Sequence, residues 1–135
     1  MNEFIDALYD KLAGTVAVTN LLSASTAIYE AEAPRGASLP YIIVNLQGGP
    51  GDEPANPDRH VNHVFAIKGV SATSIDAAGA IAAAIDGALH NAALTVSGWA
   101  VFWLARESPL RYTEHAATGL EVHHAGATYR IRAGT

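Results

Sequence analysis

The chain contains no cysteine. That absence excludes thiolate nucleophiles, zinc sites built on Cys and any disulfide framework, and it fits a reducing cytoplasm. Lysine is scarce as well: Lys11 and Lys68 are the only two, far apart, and the formal net charge is -5. Phosphate neutralisation needs clustered Lys and Arg, so this balance argues against a sequence-reading nucleic-acid binder. No apolar run approaches the ~18 residues of a membrane span. The opening Met1-Asn2-Glu3-Phe4-Ile5-Asp6 carries acids where a signal peptide carries bases. The expectation is a soluble, cytosolic protein with no membrane partner.

Catalytic signatures are equally thin. Ser38, Ser97 and Ser108 lack the Gly-x-Ser-x-Gly elbow. Gly48-Gly49-Pro50-Gly51 lacks the Lys-Ser/Thr ending of a phosphate loop and leads into no helix. Of the six histidines, His60 and His63 fall on opposite faces of one strand, and so do His123 and His124, so neither pair converges on one ion. No catalytic residue, cofactor or metal site is expected.

What is present is a run of alternating elements. With 135 residues the chain fits one domain spanning 1–135. Phe4, Ile5, Leu8, Tyr9 and Leu12 recur at helical spacing and predict a helix over 3–13, ended by Gly14. A short helical turn follows Thr15. Pro40 is tolerated at the first residue of a strand, so a strand begins at Tyr41 and runs to Leu46. Three prolines and three glycines predict a long loop over 47–58. Alternation resumes over 59–68, in a strand pairing antiparallel with the one before. Ser71 is the expected N-cap of the longest helix, whose stripe is Ile75, Ala78, Ala82, Ile85 and Leu89. Strands are predicted at 93–96 and 99–106, joined by a turn at Ser97-Gly98, with Trp99, Val101 and Trp103 on one face and Phe102 and Leu104 on the other. An irregular segment, 107–119, leads into a last strand over 121–132, where Arg130 and Arg132 share a face. The fold class is therefore α+β: a mostly antiparallel sheet of four to five strands, flanked by an N-terminal helix and one long alanine-rich helix.

Both faces of the aromatic strand want cover, and one good helix supplies little of it. A monomer core and a subunit contact both account for Trp99, Phe102 and Trp103, since aromatics and arginine are enriched at interfaces. Glu30 and Glu32 share a strand-like face, which a solvated edge explains as well as acid–base chemistry does.

Taken in order, Ile28-Tyr29, Pro34-Arg35-Gly36 and Leu39-Pro40-Tyr41, followed by a loop, a strand over 63–69, a helix over 71–89 and a closing pair of strands, resemble the tail-terminator or tail-completion proteins of long-tailed bacteriophages and prophages. One departure is Gly69-Val70, where family members often carry an aromatic. The resemblance implies a non-enzymatic virion protein of the tail neck, assembled in the host cytoplasm. It implies a homo-hexameric ring that caps the finished tube of major tail protein, ends its polymerisation and meets the head connector or stopper protein. DNA would pass through the lumen without sequence-specific binding, a task that net negative charge suits. Candidate interface residues are Gly49, Asp52, Glu53, Asp58 and Arg59 in and after the first loop, Arg111, Tyr112 and Glu114 in the second irregular segment, and Arg130 and Arg132 on the last strand. The alternatives are another neck component, such as a head-completion or stopper protein, or a small α+β enzyme or ligand-binding domain gathering His60 or His63 with Asp58 and Glu107.

Overall fold

The computed structural model describes residues 2–52 and 60–135. Its elements are α1 (Asn2–Ala13), α2 (Val16–Thr19), β1 (Ile28–Glu30), β2 (Tyr41–Asp52), β3 (His60–Ser71), α3 (Ile75–Leu89), β4 (Ala100–His115) and β5 (Glu121–Gly134). The strands form one sheet in the order β1-β2-β3-β5-β4. Every neighbouring pair is antiparallel except β1 and β2, which run parallel. The fold is thus α+β, with a mixed, mostly antiparallel sheet.

The helices lie on one face of that sheet. Phe4, Leu8 and Leu12 of α1 are buried, and the Phe4 ring meets His63 of β3 edge-on at 5.0 Å and Trp99 at 5.5 Å. From α3, Ile81, Ile85 and Leu89 join Phe65, Ile67, Tyr129 and Ile131 of β3 and β5 in the same core. Two glycines allow close approaches, one between the helix layer and the sheet and one between neighbouring strands. A Cβ on Gly69 would collide with Ile81 of α3, and one on Gly126 would run into the β3 backbone at Ile67 and Lys68. Tyr129, otherwise enclosed, donates its hydroxyl to Asp86 of α3 at 3.0 Å, and burial together with the Asp86 charge pushes that hydroxyl's pKa up.

Several sequence expectations are corrected. The stretch after Leu46 is strand through Asp52, with register irregularities between Leu46 and Gly48 and between Gly48 and Gly51. Since β1 pairs only with Ile42–Val44, this part of β2 is a sheet edge, where Pro and Gly are tolerated. The remainder of the predicted loop lies outside the described residues. Likewise 107–119 is not irregular: β4 continues to His115, carrying Pro109 on the other edge of the sheet, and only the turn before Glu121 is left. The predicted strand over 93–96 reduces to a single bridge between Val96 and Trp99. Ser71 ends β3, and the N-cap is Ser74, whose hydroxyl accepts from the Ala77 N–H at 3.0 Å. Ala31, at φ 65°, ends β1, so Glu32 does not share a strand face with Glu30.

The steric role of Gly126 gives a stability test. Gly126→Ala is expected to lower unfolding free energy by about 1–3 kcal/mol, because the obstacle is backbone and cannot rotate away. Gly87→Ala on α3 meets open space and is expected to raise it by up to about 1 kcal/mol. Urea titrations of both variants, read by circular dichroism, check the opposite signs.

Candidate assembly interface

With the helices on one face, no described helix covers the other. That open face is built from the alternate residues of each strand, and register decides which side chains meet there. Tyr112 of β4 pairs with His124 of β5, which pairs with Val70 of β3 and lies beside the Lys68 row. The Tyr112 and His124 rings stack at 4.5 Å and 10°. Lys68 Nζ donates to the Tyr112 hydroxyl at 2.6 Å and stands 5.2 Å from its ring centre. The Nε2 of His124 is 2.8 Å from Glu114 Oε1, and since a carboxylate only accepts, that nitrogen carries the proton. Its Nδ1 is buried without a partner. Burial pulls the His124 pKa below its ordinary 6.5, opposed by the bond to Glu114. Tyr29 and Tyr41 meet edge-on at 5.6 Å on the same face. In the absence of a helix, aromatic rings and a hydrogen-bonded stack shield this end of the sheet.

The other end of the open face is arginine-bearing. Arg130 is held inside the chain: Nε donates to Glu107 at 2.7 Å and Nη1 to Asn62 at 2.6 Å, and the Arg130 bond holds the Glu107 carboxyl below the usual carboxylate range. Arg132 is exposed and has Trp103 and Asn62 as its register neighbours. A bulge between Val101 and Trp103 breaks the alternation expected for this strand. Trp99 and Val101 pack on the core, with the indole N–H donating to Glu3 at 3.0 Å, whereas Phe102 and Trp103 are 63% and 51% exposed. Trp103 therefore does not share a face with Trp99, because the extra residue turns it outward.

The predicted interface residues divide accordingly. Tyr112 and Glu114 are brought together on the open face, and Arg130 and Arg132 do share that face. Arg111 is on the helix side, 3.4 Å from Asp76 of α3 and over Gly79. There it borders a groove of about 390 Å³ between α3 and β4 whose floor is Ala125 and Ala127. Gly49 and Asp52 lie on the β2 edge. Glu53, Asp58 and Arg59 lie outside the described residues. Sequence reasoning missed Lys68 and His124, which reach Tyr112 and Glu114 only through strand register. Of the residues of the enzyme alternative, Asp58 lies outside the described residues, Glu107 is engaged by Arg130, and His63 packs against Phe4 and Phe65 on the helix side. Among the described residues no group of three or more His, Asp or Glu is placed to hold a metal, and no helix is long and apolar enough to cross a membrane.

A family profile for tail completion protein gp17 matches residues 6–133. The chain belongs to that family. As a tail completion protein it is a structural component of phage-like virions. Its fold matches a chain of the virion of a native gene transfer agent particle, with a TM-score of 0.70 and 23% identity over 96% of this chain and 93% of that one. A second solved chain matches with a TM-score of 0.61 and 15% identity, covering 99% of the tail completion protein and 95% of itself. No curated protein matches.

The His124 stack yields a pH dependence. With its folded pKa lowered, the unfolded chain binds the proton more readily, so stability rises with pH between the folded and unfolded values. His124's contribution is complete above its ordinary 6.5 and is lost as pH falls below that value. The melting temperature of the wild type should fall over that window, and His124→Gln should remove that part of the slope.

Proposed function

We propose that the chain forms a hexameric ring that caps the tail tube, ends its polymerisation and joins the tail to the head connector or stopper, with DNA passing through its lumen. The observation that carries this reading is the pairing of a one-sided helix layer with a sheet face that no described helix covers and a long edge strand, β4, bearing exposed Phe102 and Trp103, with exposed Arg132 of β5 beside Trp103. Aromatics and arginine are the residue types enriched in protein interfaces. A ring with two different neighbours along its axis also needs two separate contact ends. The β2 and β3 strands meet at Asp52 and Val61, at one end of the sheet, while β4 and β5 meet at His115 and Glu121, at the other. We assign the region of Gly49, Asp52, Glu53, Asp58 and Arg59 to one axial partner and the β4–β5 turn to the other, with the major tail tube protein and the head connector as these partners. The work is positional and needs no catalysis.

Another neck component, a head-completion or stopper protein, would use the same features, and particle morphology separates the two. Cryo-electron microscopy of particles lacking this protein should show tails of uncontrolled length and unjoined heads. Tails of normal length with unjoined heads would favour the stopper reading, and normal particles would overturn both. Phe102→Ser combined with Trp103→Ser should leave the melting temperature within a few degrees of wild type, since both side chains are exposed, yet reduce joined particles at least tenfold in a complementation assay. Wild-type particle yield from that variant would remove the aromatic patch from the interface.

A further inference from the structure

The two edges of the sheet are complementary to one another, and we propose that the ring is sealed by antiparallel pairing of β4 of one copy with β1 of the next. This inference rests on the ring reading and specifies its seam. Strand polarity comes first. Because β1 runs parallel to β2 and the remaining pairs alternate, β4 runs opposite to β1. Copies placed side by side with the same orientation therefore present β4 to β1 in the antiparallel sense. Such a contact is heterologous, and when its rotation closes it makes a ring.

Most of the β4 edge is already blocked. Asn91 N–H donates to the Leu104 carbonyl and Arg106 N–H to His90 Nδ1, so the chain after α3 covers the edge there. The bulge between Arg106 and Ser108 and the ring of Pro109 interrupt it next. These are the devices by which edge strands avoid indiscriminate pairing. What remains regular is Leu110–His115, and the sheet register puts this stretch level with β1: Arg111 stands in the row of Ala125, Gly69, Ile42 and Ile28.

Charge and face then select the register. Glu30 is exposed on β1 and Glu32 just beyond it, neither with a side-chain partner among the described residues, and Arg35 lies further along the link. Arg111 on β4 is exposed, and its Asp76 partner is 93% exposed and so free to exchange it for another carboxylate. A shift of two residues from the level row keeps both faces in place. It sets Arg111 opposite Glu30 on the helix side and Tyr112 opposite Tyr29 on the open side, an ion pair beside an aromatic pair.

The absence of cysteine allows a direct test. Directly opposed residues of an antiparallel pair have Cα atoms about 4.5–5.5 Å apart, within disulfide reach. Glu30→Cys with Arg111→Cys, and separately Tyr29→Cys with Tyr112→Cys, are oxidised in assembled particles and run on a non-reducing gel. The expected result is a ladder up to the closed ring for each double variant, and monomer for each of the four single variants. A wild-type ring seen by native mass spectrometry with no ladder from either pair overturns the seam and leaves the ring reading standing. Dimers from a single-cysteine variant show a two-fold contact and also overturn the seam. A wild type that is monomeric both free and in particles overturns the ring reading and the seam with it. Charge exchange gives an independent measure: Glu30→Arg or Arg111→Glu alone should weaken assembly at least tenfold, and an equimolar mixture of the two should restore it. No recovery in the mixture would count against the pairing.

Discussion

All of the described helices pack on one face of a five-stranded sheet, and the rest of the structure follows from that asymmetry. On the covered face, close packing is obtained by removing a side chain where α3 and β3 come nearest, at Gly69, and filling the remaining space with Phe4, Phe65, Ile81 and Tyr129. On the open face none of the described helices is available, so cover comes from the strands themselves. The stack of Lys68, Tyr112 and His124, closed by Glu114, and the tether of Arg130 to Glu107 and Asn62 are the result. Burying a polar group costs free energy unless it is bonded, and these networks bond most of theirs. His124 Nδ1 is the exception.

The proposed ring makes use of this division of labour. A helix layer makes a rigid back, and the open face and edge strands stay available to other chains. The edges are not left uniformly open. Two bulges, Pro109, the Asn91 N–H bonded to the Leu104 carbonyl and the His90 ring accepting from the Arg106 N–H restrict β4 to one short regular stretch, while β1 is only three residues long. An assembly protein must pair with its proper neighbours and with nothing else, and short or interrupted edges meet both demands.

Much of the fold was legible from hydrophobic period alone. Phe4, Leu8 and Leu12 marked α1, the alternation from Tyr41 marked β2, and the stripe from Ile75 to Leu89 marked α3, because each pattern is local and each face is buried as the pattern says. The two strand stretches misread as irregular share one physical cause. Proline and glycine in 47–52, and Pro109 in 107–115, argue for loops under local rules, yet both stretches are sheet edges, where a missing N–H or a bulge costs little. The candidate interface was legible only in part. Arg130 and Arg132 could be placed on one face by alternation within β5, but that Arg130 is already engaged by Glu107 depends on pairing with β4. Trp99 and Trp103 looked equivalent by spacing until the bulge separated them.

The sequence by itself determined the two longer helices and the central strands, the charge balance that disfavours nucleic-acid reading, the absence of thiol chemistry and the ordered motifs that resemble tail completion proteins. Those properties are set by residues near one another in the chain, so they can be read along it. Only the tertiary structure decided that the helices share one face, that β1 joins parallel at the edge, and that Lys68, Tyr112, Glu114 and His124 form one cluster. The reason is register. Which side chains meet across a sheet is set by how strands far apart in sequence align, and a bulge of one residue reverses every face beyond it.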